Sequence, residues 1–182
     1  DLEEEIYGTD PAAFDSDKDE YNDGQEVLNL YNPKGVAPVR IADSGLVREY
    51  AAPNALYRFY YPVLWTIGAV DAAGTNILIT AANGDYIEVR QSPKRPGEDF
   101  NTWFGRTAVS EKITDLETGL NRFGTSFYKR KDGLVAYING PQQVIVLLYH
   151  PESNAPIHFR KVMQMLLESL RVTGVSINPT AE

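Results

Sequence analysis

Asn76-Ile77-Leu78-Ile79-Thr80-Ala81-Ala82-Asn83-Gly84-Asp85-Tyr86-Ile87-Glu88-Val89-Arg90-Gln91 decides the fold of this chain. Two extended runs flank Asn83-Gly84, a dipeptide that accepts the positive φ angles of a tight hairpin turn. Tyr86, Ile87 and Val89 put apolar weight on the returning run. Asn76–Thr80 and Asp85–Gln91 therefore read as an antiparallel pair. Pro93 and Pro96 stop the second strand, because proline has no N–H to give to a ladder.

Working outward, Tyr57-Arg58-Phe59-Tyr60-Tyr61 alternates and ends at Pro62, and Trp65–Val70 forms another strand-like run. Glu98–Val109 reads as a helix with Phe100, Trp103, Phe104 and Thr107 on one face. Lys112–Leu116 reads as a strand. Thr125–Lys129 and Leu134–Ile138 are strands joined across Lys131-Asp132-Gly133, a second hairpin signal. Val144–Tyr149 is apolar throughout, as expected of a central strand. Pro156 is expected to open a last helix, in which Phe159, Val162, Met163, Leu166, Leu167 and Leu170 recur at helical spacing. Hairpins with helices at two points predict an α+β fold, an antiparallel β-sheet layered with helices.

The front of the chain has a different character. Asp15-Ser16-Asp17-Lys18-Asp19-Glu20-Tyr21-Asn22-Asp23-Gly24-Gln25-Glu26 places carboxylates at the first, third, fifth, ninth and twelfth positions of a twelve-residue window. That is the ligand spacing of an EF-hand-like calcium loop. Asp15, Asp17 and Asp19 would grip one side of a hard cation. Tyr21 would offer its backbone carbonyl, and Asp23 would bind directly or through water. Glu26 would reach back with both oxygens from the first turn of a helix. Without a cation, so many like charges would repel one another; the competing reading is a solvated acidic run. Glu20 stands at the sixth position, where glycine is usual because the chain turns with positive φ. That departure costs roughly 1 kcal/mol and predicts either a weak site or a reshaped turn. Dissociation constants on the order of 0.1–1 mM are typical of extracellular modules.

Aligning Asp1 with Asp23 also brings Glu4 onto Glu26 and Pro11 onto Pro33, a period of 22 residues. Tyr7-Gly8-Thr9-Asp10-Pro11 then matches Asn29-Leu30-Tyr31-Asn32-Pro33 in position. Repeats of this length belong to tandem arrays. The expectation is a fragment or trimmed form of a longer protein, beginning in mid-repeat. Leu2–Tyr7 and Asn22–Tyr31 read as short helices.

Residues 1–35, with this loop and the Gly8-Thr9-Asp10-Pro11 and Tyr31-Asn32-Pro33 turns, resemble the bacterial thrombospondin type 3 repeats. The resemblance implies calcium-stiffened spacers on secreted or surface-anchored proteins, with Asp15, Asp17, Asp19, Tyr21, Asp23 and Glu26 as ligands. Tyr57-x-Phe59-x-Tyr61-Pro62-x-x-Trp65 and Phe159-x-x-x-Met163-x-x-x-Leu167-x-Ser169-Leu170 resemble the PsbP-like family. That family implies an α/β/α sandwich around an antiparallel sheet and, in photosynthetic members, a binding or assembly role. The expected organisation is a repeat at 1–35, a linker or extended arm at 36–55, the PsbP-like domain at 56–175 and a tail at 176–182.

The formal charge of −8 argues against nucleic acid, whose phosphates it would repel. No apolar run is long enough to span a bilayer. The absence of cysteine excludes disulfides, thiolate metal sites and cysteine nucleophiles. His150 and His158 flank the turn before the last helix, as a metal pair or as solvated loop histidines. Ser110 and Ser126 lie in no nucleophile-elbow pattern. Asp115 and Glu117 read as paired acids or a charged strand edge, Trp65 and Trp103 as a sugar platform or core, and Lys94-Arg95 as a basic loop that contacts an acidic partner or is simply exposed charge. Two functions follow. One is a non-enzymatic, extracellular or cell-surface calcium-binding module whose sheet domain binds a protein or cell-envelope component. The other is a hydrolase or carbohydrate-active domain on a calcium-braced stalk, with Trp103, Asp115 and His150 converging on a cleft.

Overall fold

The computed structural model describes residues 2–152 and 156–173; Asp1 and the expected tail at 176–182 lie outside them. In chain order the elements are α1 (Leu2–Tyr7), α2 (Asp23–Leu28), a 3-10 turn (Ile41–Asp43), β1 (Val47–Ala51), β2 (Tyr57–Pro62), β3 (Thr66–Ala69), β4 (Asn76–Thr80) and β5 (Tyr86–Pro93). There follow α3 (Phe100–Thr107), a second 3-10 turn (Ile113–Asp115), β6 (Leu116–Leu120), β7 (Ser126–Arg130), β8 (Val135–Asn139), β9 (Gln143–His150), α4 (Arg160–Ser169) and β10 (Arg171–Val172).

The Asn83-Gly84 hairpin forms as read, with Ile77 opposite Val89, Ile79 opposite Ile87 and Gly84 at φ +96°. From it grows a seven-stranded antiparallel sheet of order β3-β4-β5-β9-β8-β7-β6. Strand β9 lies near the middle, and its alternate side chains enter two different cores. Ile145, Leu147 and Tyr149 join Ile77, Ile79, Ile87 and Val89 beneath α4. Val144 and Val146 join Phe100, Trp103 and Phe104 of α3 on the other face. Burial on both faces explains a strand with no polar alternation. The result is α3, sheet, then α4, the helix-layered antiparallel α+β architecture expected.

A three-stranded sheet, β1-β2-β10, packs on the α4 side. It supplies Tyr57, Phe59 and Tyr61, and its edge strand β1 comes from within 36–55. Ile6 and Tyr7 from α1, Val27 from α2 and Leu30 just after it belong to the same core cluster. The apolar interior therefore runs across the change in sequence character near residue 35.

Four boundaries differ from the sequence reading. Residues 112–115 do not form a strand; the Asp115 N–H closes a 3-10 turn on the Lys112 carbonyl at 3.0 Å, and the strand occupies Leu116–Leu120. Helix α3 is shorter than expected because Asp99 caps it, accepting the Thr102 N–H at 2.7 Å. Helix α2 ends at Leu28, two residues before Leu30 takes a left-handed φ of +61°. Helix α4 begins at Arg160 rather than Pro156. The Phe159 N–H is held by the Tyr149 hydroxyl at 3.2 Å, and its ring stands edge-on to Trp65 at 5.0 Å. Phe159 thus stays at φ −121°, ψ +51°, outside the helix.

Candidate metal centre

The loop before α2 is shaped by its own carboxylates. Asp15 accepts the N–H groups of Lys18 at 2.7 Å, Asp19 at 3.3 Å and Glu20 at 2.8 Å. Asp17 accepts the Asp19 N–H at 3.2 Å, and Asp19 accepts the Tyr21 N–H at 3.0 Å. These bonds curl the backbone so that one carboxylate oxygen each from Asp15, Asp17 and Asp19 lies within 4.8 Å of the others. Lys18 and Glu20 absorb the curvature at φ +64° and +78°. Glu20 therefore adopts the conformation for which glycine is usual at the sixth position.

Asn22 caps α2 by accepting the Gly24 and Gln25 N–H groups at 2.8 and 3.2 Å. That cap sets the helix whose first turn carries Glu26. The Glu26 side chain is buried, and neither of its oxygens has a hydrogen-bond partner among the described residues. The Asp17 Oδ2 is likewise buried and unpartnered. Burial, then the charges of Asp19, Asp17, Asp23 and Asp15, push the Glu26 carboxyl up to about 7. A carboxylate without donors is costly to bury, by several kcal/mol for an unpaired ion. Oxygen donors of this number and charge suit a hard divalent cation such as calcium. Each carboxylate oxygen has two lone pairs, so the N–H bonds of Asp15 and Asp19 leave capacity for a cation.

The remaining two predicted ligands sit differently. Both oxygens of Asp23 are engaged by Ser16, Oδ1 by its N–H at 2.8 Å and Oδ2 by its hydroxyl at 2.7 Å. Asp23 ties the loop entry to α2. The Tyr21 side chain is exposed, so that residue's part rests on its carbonyl. Asp19 has a further link: its Oδ2 accepts the Ala37 N–H at 2.7 Å, joining the loop to the segment that follows.

One contact with the rest of the molecule gave no signal in the sequence. Helix α4 has no side-chain cap of its own. Glu3 supplies one from 158 residues away, its Oε1 accepting the Lys161 N–H at 2.5 Å and the Val162 N–H at 3.1 Å. A carboxylate there satisfies orphan N–H groups and complements the helix dipole.

A second buried acid lies at the β4–β5 turn. Asp85 accepts the Tyr149 hydroxyl and the Glu152 N–H, the latter at 2.8 Å, with His158 Nδ1 at 3.4 Å. Burial raises its carboxyl, and bonds from Tyr149, Glu152, Asn83 and His158 more than offset that, leaving it below the usual value. His158 is thus part of this polar closure. His150 is elsewhere, stacked on Tyr86 at 4.5 Å with Nε2 3.3 Å from Glu88.

Trp103, Asp115 and His150 do not converge. Trp103 is buried beside Ser92, which pairs with Val144 at one end of β9, whereas His150 is the other end. Six residues of strand separate them by about 20 Å. Asp115 lies in the 3-10 turn before β6, and Glu117 faces Lys129 at 3.4 Å. Both tryptophans are core residues, so the platform reading fails. Ser110 and Ser126 are exposed. Lys94 Nζ bonds Asn139 at 3.0 Å, and the Arg95 N–H bonds Glu98 at 2.9 Å.

No protein-family model matches the sequence, and no curated protein matches it. Among solved structures the chain is similar to cyanobacterial PsbP from Synechocystis sp. PCC 6803, at 12% identity and a TM-score of 0.44, over 76% of this chain and 96% of that one. It is similar to a Bacteroides thetaiotaomicron protein at 10% identity and a TM-score of 0.42, over 70% of this chain and 48% of that one. Saccharomyces cerevisiae Ran-binding protein Mog1p follows at 13% identity and 0.42, over 69% and 95%. Likenesses of this size say nothing of what the chain binds. None of them bears on the thrombospondin type 3 resemblance of residues 1–35.

Proposed function

We propose that this chain is a non-enzymatic calcium-binding module of a secreted or cell-surface protein. Residues 15–26 form a thrombospondin type 3-like calcium loop, and the α+β domain beside it binds a protein or cell-envelope component. The observation that carries the reading is the Glu26 carboxylate, 4% exposed with both oxygens unpartnered, beside the Asp15, Asp17 and Asp19 cluster. Bound calcium would supply the positive charge that this donor set lacks.

The side chains around the loop say what closure does. Glu26 and Val27 are neighbours on α2, so a loop closed on Glu26 fixes the helix that sends Val27 into the core beneath α4. Asp19 passes the same constraint to Ala37. The repeat becomes a stiff segment set against the sheet domain. A weak site in a surface loop suits a compartment rich in calcium, which favours an extracellular setting.

Native mass spectrometry with calcium and with EDTA tests the reading, together with melting under both conditions. Calcium at ten times its dissociation constant stabilises by about 1.4 kcal/mol, roughly 3–6 °C for a chain of this size. Asp17→Ala should remove both the bound ion and the shift. An unchanged mass and an unchanged melt would end the proposal.

A further inference from the structure

Between the end of α2, the 41–43 turn, β2 and the β6–β7 turn lies a cleft of about 520 Å³. Its walls include Tyr31, Arg40, Asp43, Tyr60, Arg122 and Phe123. We propose that this cleft binds a uronic acid residue of an anionic polysaccharide. The inference stands apart from the calcium reading and needs none of the loop carboxylates.

Charge is the first ground. In a chain of net charge −8, this cleft holds two guanidinium groups and one carboxylate. Arg40 lies over the Tyr31 ring at 4.5 Å and makes no ion pair among the described residues. A stacked guanidinium keeps its N–H edge for a planar carboxylate, which it meets with two parallel hydrogen bonds. The Arg122 Nε is held by the Leu28 carbonyl at 3.3 Å and paired with the Glu168 carboxylate at 3.7 Å, so Arg40 carries the cleft's open positive charge.

The second ground is the apolar lining. Tyr31, Tyr60 and Phe123 give the cleft aromatic surface, and Phe123 is 37% exposed. The Arg171 guanidinium lies 4.5 Å from the Phe123 ring centre and 5.2 Å from that of Tyr60. Arg171 covers one face of each of these two rings, and the exposed part of Phe123 is the aromatic surface left for the apolar face of a pyranose. Asp43 completes the chemistry. Its carboxylate accepts sugar hydroxyls and repels a second negative charge, which disfavours phosphate and favours a singly charged acid carrying hydroxyl donors.

Isothermal titration of the whole chain, at fixed calcium, with a hyaluronan tetrasaccharide tests the proposal. Neutral chitotetraose and inorganic phosphate serve as comparison ligands. The tetrasaccharide should bind, and both comparisons should bind at least about tenfold more weakly, the scale of one lost charge-assisted pair. Arg40→Ala should weaken it by about tenfold as well, with an unchanged melt. Phe123→Ala should weaken it without restoring preference for chitotetraose. No binding, equal binding by Arg40→Ala, or phosphate or chitotetraose binding as tightly as the uronate would overturn it.

Discussion

Asp85 and Glu26 are both shielded from water, 0% and 4% exposed, and their surroundings treat them oppositely. Asp85, in the sheet region, collects donors from a hydroxyl, a backbone N–H and an imidazole, and its carboxyl falls below the usual value. Glu26, in the amino-terminal region, has no donor and four neighbouring aspartates, and its carboxyl rises to about 7. Burial is common to both, so burial does not decide the outcome. What decides it is whether protein groups face the charge. The sheet region completes its buried acid by itself. The loop region supplies no donor to its acid, and that difference is the ground for proposing the loop, not the Asp85 network, as a cation site.

The largest way to break this contrast is to remove Asp85. Asp85→Ala leaves the Tyr149 hydroxyl and the Glu152 N–H without their acceptor. The expected loss is about 3 kcal/mol, one to two buried orphan donors, measured by denaturant unfolding. The loss should be equal in calcium and in EDTA. A loss seen only in calcium would mean that the two regions are not separate in the way described.

Glu26→Gln is the next step down. In calcium the variant should lose the ion's stabilisation, about 1.4 kcal/mol at ten times the dissociation constant. In EDTA it should be no less stable than the parent, because it removes a charge that is buried without donors. A parent that outlasts Glu26→Gln in EDTA would show that the carboxylate has protein partners after all.

The same contrast predicts opposite pH responses. Glu26 in the calcium-free chain has a folded value of about 7 against an ordinary 4.5. The folded state then binds more protons between those limits, so stability in EDTA rises as pH falls from about 7 toward 4.5. Calcium should abolish that rise. Asp85 has a lowered value, so its contribution is present above the ordinary carboxylate range and is lost as pH falls through its depressed one. Melting curves from pH 8 to pH 3 in calcium and EDTA separate the two. A flat EDTA profile between 7 and 4.5 would contradict the Glu26 assignment.

How legible each region was follows from where its partners lie in the chain. The Asn83-Gly84 turn and the apolar run of β9 are local patterns, and both appear as read. Asp15, Asp17 and Asp19 come together because two-residue spacing in a tight loop brings them there. The diversion of Asp23 to Ser16 was hidden, because spacing gives a ligand position but not what else can reach it. The Glu3 cap and the Asp85 network depend on partners 158 and 64 residues away. No local rule sees such contacts. The start of α4 was misplaced for the same reason, since Tyr149 and Trp65 hold Phe159 out of the helix. The short strands β1 and β10 are edges with mixed burial, which carry little periodicity.

The smallest effect sharpens the loop itself. Glu20 is exposed, sits at φ +78° and gives its N–H to Asp15 at 2.8 Å. Glycine keeps that N–H and removes the crowding between Cβ and backbone that makes positive φ unfavourable. It also gives the unfolded chain more freedom, which cancels part of the gain. Glu20→Gly should therefore stabilise by only about 0.5–1 kcal/mol over Glu20→Ala. The alanine variant is the right comparison because both changes delete the same charge, so their difference isolates the backbone. A better-ordered loop should also hold calcium more tightly in the glycine variant, read as a larger melting shift between EDTA and calcium. If the alanine and glycine variants melt together in both conditions, the left-handed turn at this position carries no strain, and the weakness expected of the site has another source.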